Sequence, residues 1–172
     1  MTGFIVVFVV ALFVVAALVY ATRRHATQLR SLEDFRARWD KVDIDAFANL
    51  IDPAEEDYLR SRLPSRDFRR LQRQRLRVAR VYLGRVGHNA QLMVQAGQIV
   101  LQHNAGPEAE ATRAHIQDAM RLRTLVVLAQ VSLTLQLAVP GYYAPLERVL
   151  QVYNNTTHSF DNVLDPSIAV TM

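Results

Sequence analysis

Residues 66–80 read RDFRRLQRQRLRVAR and place seven arginines in fifteen positions. No proline interrupts the chain from residue 66 to residue 103, which predicts one long helix. At 100° per residue, six of the arginines fall within an arc of about 100°. These six, called the arginine stripe below, are Arg66, Arg69, Arg70, Arg73, Arg77 and Arg80. The opposite side is predicted to be the core face and carries Phe68, Leu71, Val78, Tyr82 and Val86.

A second long helix is predicted after the turn sequence HNAGP at residues 103–107. Pro107 suits the first turn of a helix, and Glu108 and Glu110 favour its positive N-terminal end. Because the connection is short, the two long helices are expected to form an antiparallel hairpin. We therefore predict an all-α fold, a small helical bundle built on this hairpin and preceded by a transmembrane helix.

The later part of the second helix is the ambiguous element of the sequence. Residues 129–139 read AQVSLTLQLAV, and this alternation of apolar and polar residues is typical of a strand. A lone strand leaves its backbone groups without partners, and the chain offers no second strand. We therefore interpret the segment as a buried helix.

The transmembrane prediction rests on residues 3–21, GFIVVFVVALFVVAALVYA, which carry no charge. A helix of that length crosses about 28 Å, close to the thickness of a bilayer core. Arg23 and Arg24 follow at once, and the positive-inside rule places the chain from Thr22 onward in the cytoplasm. A single-pass protein of the cell membrane is predicted. The alternative is export after signal cleavage near Ala21, which the absence of a basic residue before the apolar run disfavours.

A second crossing at 124–143 is the alternative arrangement of the membrane part. No charged residue occurs from 124 to 146, and such a span is typical of a subunit of a larger membrane complex. Gln130, Gln136 and Pro140 inside the segment argue against it.

Four regions are expected along the chain. They are a transmembrane anchor at 1–22, a stalk helix with short helices at 23–64, the hairpin and bundle at 65–157, and a flexible tail at 158–172. The stalk is predicted because the apolar residues Leu29, Leu32, Phe35 and Trp39 recur every three or four positions.

Helix boundaries within 23–64 are marked by their own residues. Asp52 is a capping residue, Pro53 suits a first helical turn, and Pro64 ends the helix that they begin. Ser65 is predicted to cap the next helix.

Charge is divided between two neighbouring blocks. Residues 33–57 contain nine acids and three bases, a net charge of −6, whereas residues 58–85 contain ten arginines and one acid, a net charge of +9. The simplest interpretation is that the acids cover the stripe or that the stripe is a solvated face. The alternatives are an anionic lipid surface or an acidic protein at 66–80. Nucleic acid is disfavoured, because the arginine face lacks the aromatic residues that stack on bases.

Motifs for chemistry are absent from the sequence. With no cysteine, there is no disulfide, thiolate metal site or thiol nucleophile. The five histidines form neither a HExxH pair nor a di-iron pattern, and there is no GxSxG elbow or P-loop. We therefore predict no catalytic, cofactor-binding or metal-binding residues.

The function that these features predict is non-enzymatic interaction or scaffolding at the cytoplasmic membrane face. The chain meets the bilayer through residues 3–21, and a homo-oligomer is compatible with this arrangement. An enzyme with an unmarked site in the bundle is the competing class, because a pocket of convergent polar groups leaves no pattern in a single sequence.

Overall fold

The computed structural model describes residues 29, 31–103, 107–138 and 146–164, and every regular element within them is helical. The six helices of this part of the chain are α1 (Leu32–Arg38), α2 (Ile44–Ile51), α3 (Pro53–Arg62), α4 (Ser65–His103), α5 (Pro107–Ala138) and α6 (Glu147–Leu164). The predicted all-α class is confirmed for these residues.

Helices α4 and α5 form the antiparallel hairpin that the short connection predicted. Arg80 donates to the Thr134 hydroxyl at 3.2 Å, while Gly97, farther along α4, packs against Ile116 near the start of α5. A Cβ atom at Gly97 would lie 2.6 Å from Ile116 Cγ1, so the missing side chain permits this close approach. The hairpin is the largest contact in the fold, and the shorter helices pack onto it.

Capping residues fix the starts of the short helices. The side chains of Ser31, Asp43 and Asp52 accept hydrogen bonds from backbone N–H groups in the first turns of α1, α2 and α3. At α4 the prediction was displaced by one residue. The Pro64 carbonyl accepts from the N–H groups of Asp67 and Phe68, so Ser65 is the first helical residue and not the cap.

The core lies between α2, α4, α5 and α6. Its buried members include Phe47 on α2, Leu83 and Val86 on α4, and Tyr153 on α6. Phe47 stacks on the ring of Tyr82 with 5.1 Å between centroids.

The core side of α4 differs from the predicted one. Val78 was assigned to it but is 45% exposed, whereas Leu76 and Ala79 are buried. Val78 and Leu83 are about 140° apart on a helix, and the other core helices surround Leu83. Phe68 and Val86 are buried as predicted, and Leu71 and Tyr82 are half-buried.

The segment before α2 does not project as a stalk in the described residues. Ser31 is extended, with φ −152°, so α1 is separate from any helix that precedes it. Leu29 and Phe35 are buried against α4, in a cluster that includes Leu92 and Met93. This segment therefore lies along α4, because its apolar residues find a partner there.

Helix α6 and the ambiguous segment each differ from the prediction in one respect. Helix α6 continues to Leu164, past the expected start of a flexible tail at residue 158, and residues 165–172 lie outside the described residues. The ambiguous segment is helical, as predicted, but only one side of it is buried. Ala129 and Leu133 face the core, whereas Thr134 and Leu135 are exposed.

The anchor predicted at 1–22 lies outside the described residues. In the part of the chain that the structure describes, no helix combines the length with the apolar character that a membrane crossing requires. That finding includes α5, to which residues 124–138 of the alternative second span belong, whereas residues 139–143 lie outside the description.

Candidate functional site

The arginine stripe is a solvent-exposed surface of α4. All six of its side chains are exposed. Arg69 donates to the Ser65 carbonyl at 3.1 Å and Arg80 to Thr134, so the recorded partners of the stripe are neutral. Among the described residues, no acidic side chain forms an ion pair with any of the six. The six arginines therefore form a continuous basic surface on one face of α4, the face on which the sequence placed them.

The acidic residues of 33–57 do not cover this surface. Glu55 instead pairs with Arg75 at 3.0 Å, and Glu56 accepts a hydrogen bond from Gln72 at 2.7 Å. Arg75 also donates to the Leu50 and Asn49 carbonyls at the end of α2. It is the one arginine of residues 66–80 outside the stripe, and it lies about 160° from Arg77. Glu55 and Glu56 therefore engage the covered side of α4.

An apolar row on α5 accompanies the stripe. It consists of Met120, Leu128 and Leu135, which are 48%, 57% and 44% exposed and recur at seven- and eight-residue spacing. That spacing keeps them on one side of the helix. The interpretation of residues 129–139 as a buried helix included Leu135, and no prediction was made for Met120.

The stripe and the row lie on the same face of the hairpin. The hydrogen bond from Arg80 to Thr134 joins the two helices at this face, and all three residues of the row lie about 140–160° around α5 from Leu133, which is buried in the core. We call this face, made of the stripe and the row, the open face. The other face of the hairpin, called the covered face, receives α2, α3 and α6.

A buried polar network fixes the connection between α1 and α2 on α4. The Asn89 side chain is fully buried, accepts from the Asp40 N–H at 3.0 Å and donates to the Asp40 carbonyl at 2.7 Å and to the Tyr153 hydroxyl at 2.9 Å. His88 Nε2 lies 3.3 Å from the Arg38 carbonyl. These groups satisfy one another, so their role is to hold α1, α4 and α6 in register.

A cleft between α2, α3 and α4 is the candidate for a small-molecule site. Its volume is about 50 Å³, and its lining includes Leu50, Phe68 and Leu76. Ligand pockets are typically about 300–1,000 Å³, so this cleft holds a few water molecules at most. Two of its polar groups, Glu56 and Gln72, are bonded to each other, and Arg75 is bonded to the end of α2. No group of three metal-binding side chains occurs in the described residues.

Comparison of the chain with known proteins finds no matching family model, no matching curated protein and no matching solved structure. The interpretation of the open face therefore depends on the chemistry of its own residues.

Proposed function

We propose that this protein is a non-enzymatic interaction module, tethered by residues 3–21 to the cytoplasmic face of the cell membrane, with the arginine stripe as its docking surface for an anionic partner. The observation that carries the proposal is that six exposed arginines share one face of a 39-residue helix without an acidic partner among the described residues.

The cost of this arrangement supports a docking role. Arg66 and Arg70, Arg69 and Arg73, and Arg73 and Arg77 are each four residues apart. Like charges at that spacing destabilise a helix by about 0.2–0.5 kcal/mol per pair. The chain contains enough acids to neutralise the stripe, but among the described residues none pairs with it, and Glu55 and Glu56 engage Arg75 and Gln72 instead. An external partner is then the group that offsets the repulsion.

Guanidinium chemistry restricts the class of partner. Arginine presents a planar fork of donors that matches carboxylate and phosphate oxygens. The two partners that fit are an acidic protein and an anionic lipid headgroup. Long α4 also gives this surface a fixed shape, because its covered face is packed into the core.

The tether is supported by the uncharged run at residues 3–21 and by the basic residues that follow it.

Carbonate extraction of cells that express the full chain tests the tether. The full chain should stay in the membrane pellet, and a variant that lacks residues 3–21 should move to the soluble fraction. The mass of the purified full chain is the control, because a product that begins at Thr22 would identify a cleaved signal peptide. Release of the full chain by carbonate would contradict the proposal.

Titration of the full chain in neutral detergent with polyphosphate, a simple anionic probe, tests the docking surface. Changing Arg66, Arg70, Arg73 and Arg77 together to Gln should weaken binding by more than about tenfold. The matched control removes the same charge from scattered exposed positions, with Arg36, Lys41, Arg121 and Arg148 changed to Gln. Equal losses in the two variants would mean that only net charge matters and that the stripe is not a site.

A further inference from the structure

We infer that the hairpin lies along the surface of an anionic bilayer, with the arginine stripe on the lipid phosphates and the apolar row at the level where the acyl chains begin. This inference rests on the proposed tether and names the partner of the same open face.

The direction from which the chain reaches α4 is the first step. The Leu29 N–H donates to Gln95 Oε1 at 3.1 Å, so the segment arriving from the N-terminus meets α4 at Gln95. Gln95 lies eighteen residues after Arg77, which is five full helical turns, so the two occupy the same line along α4. Every stripe residue lies within about 80° of that line. The tether therefore approaches α4 on the side that carries the stripe.

The length of the tether is the second step. Residues 22–28 separate the proposed span from Leu29, and a chain of seven residues reaches at most about 25 Å. Gln95 is therefore held near the bilayer surface. Along the helix axis Arg77 is about 27 Å from Gln95 and Arg66 about 44 Å. A hairpin that lies flat brings both of them to the headgroups, and an upright one takes both away.

The chemistry of the open face is the third step. An acidic protein accounts for the arginines but leaves Leu128 and Leu135 without a reason to be exposed. A second copy accounts for the row but sets one stripe against another of the same charge. An anionic lipid surface accommodates both kinds of residue, because phosphates bind the guanidinium groups and the apolar side chains enter the boundary beneath them.

The exposed residues beside the stripe fit the same occupant. Val81 on α4 is 57% exposed and lies four residues from both Arg77 and Arg85, which are also exposed. Apolar side chains therefore flank the basic surface on α4 and on α5. An interfacial helix mixes arginine and aliphatic residues in this way.

The test uses the full chain, which contains no cysteine, so one introduced cysteine gives one labelled position. Three variants, Val81→Cys, Leu128→Cys and Gln151→Cys, carry an environment-sensitive fluorophore and are placed in lipid nanodiscs with a quencher attached to the acyl chains. Residue 151 is exposed on α6 and is the control. One set of discs contains phosphatidylcholine alone, and the other also contains phosphatidylglycerol.

In phosphatidylglycerol discs the labels at 81 and 128 should be quenched, and the label at 151 should not. Added salt should reduce the quenching, since exposed charges are screened over about 8–10 Å. Changing Arg66, Arg70, Arg73 and Arg77 to Gln should remove most of it, while the scattered control at Arg36, Lys41, Arg121 and Arg148 should retain it.

Three results would overturn the inference while the tether stands. They are entry of the chain into the discs with no more quenching at 81 and 128 than at 151, equal quenching in neutral and anionic discs, and energy transfer between copies labelled at 128 without lipid quenching. The last of these assigns the apolar row to a second copy. Failure of the full chain to enter the discs overturns the tether and the inference together.

Discussion

The covered and open faces of one helical hairpin treat their apolar residues in opposite ways. On the covered face, Leu83 and Leu133 are fully buried under the surrounding helices. On the open face, Val81 and Leu128 are 57% exposed, and Val81 lies four residues from Arg77, which has no acidic partner among the described residues. Helices α4 and α5 supply both faces. The difference teaches that the sequence of each helix meets two separate demands, one from the fold and, under the proposed function, one from a docking partner.

The largest expected effect comes from shortening a buried side chain on the covered face. Leu83→Ala should lower the free energy of unfolding by about 2–5 kcal/mol, because it leaves a cavity in the core. Val81→Ala, two residues away on the open face, should change it by less than about 0.5 kcal/mol. Urea denaturation of the full chain in detergent measures both through Trp39, the single tryptophan, which packs on Phe35. Equal losses would erase the distinction between the faces.

The polar network of the covered face should give the next largest effect. Asn89→Ala removes three hydrogen bonds, two with the backbone of Asp40 and one with the Tyr153 hydroxyl, and should cost about 2–3 kcal/mol. Tyr153→Phe removes one of the three hydrogen bonds and should cost about 1 kcal/mol. The same denaturation assay compares them. A larger loss for Tyr153→Phe would show that the Tyr153 hydroxyl, not Asn89, organises this region.

Two glycines of α4 sharpen the comparison, because Gly97 lies in the contact with α5 and Gly84 lies at the surface. At Gly97→Ala the new methyl group meets Ile116, so the variant should be less stable by about 1–3 kcal/mol. At Gly84 a Cβ atom meets nothing within 4 Å, so Gly84→Ala should be more stable by about 0.5–1 kcal/mol through helix propensity. Thermal melts of the two variants should move in opposite directions, and a shift in the same direction would contradict the close packing at Gly97.

The smallest expected effect separates two arginines of the same helix. Arg75→Gln loses the hydrogen bonds to the Leu50 carbonyl and should cost about 1–1.5 kcal/mol, since the side chain is only 14% exposed. Arg77→Gln, in the stripe, should stay within about 0.5 kcal/mol. The control is Glu55→Gln, which should retain most of the wild-type stability because the Glu55 side chain is half-exposed. A cost for Arg77→Gln as large as for Arg75→Gln would mean that the stripe belongs to the fold.

Local signals in the sequence predicted much of this fold. Asp52 and Pro53 marked the start of α3 correctly, and the proline-free run from residue 66 marked α4. The short connection at residues 104–106 was enough to predict an antiparallel hairpin. These features depend on residues that are near one another in the chain, so helix propensity and capping determine them.

Features that depend on distant residues were not predicted. The burial of Leu76 and the exposure of Val78 follow from where α5 and α6 pack around α4, and a helical wheel does not contain that information. The pairing of Glu55 with Arg75 was missed for the same reason, because charge counts do not distinguish a covered arginine from a stripe arginine. Of the candidate site, the stripe was predicted and the apolar row was not. Leucine is a residue type typical of a protein core, so the sequence does not distinguish Leu128 and Leu135 from buried leucines. Only the folded hairpin shows which side of α5 lacks a neighbour.

The hydrogen bond between Leu29 and Gln95 attaches the preceding chain near one end of α4, whereas most of the arginines lie near the other end. This attachment is the pivot about which α4 can tilt. About 44 Å of rigid helix separates the pivot from Arg66, so a tilt of about 20° lifts that arginine by about 15 Å. Attraction between exposed charges is screened over about 8–10 Å at physiological salt. In the proposed arrangement on a bilayer, a small rotation at the pivot therefore disconnects the far end of the stripe from the lipid phosphates. Arg77 and Arg80, nearer the pivot, rise less and release last, so the stripe detaches in order from its far end.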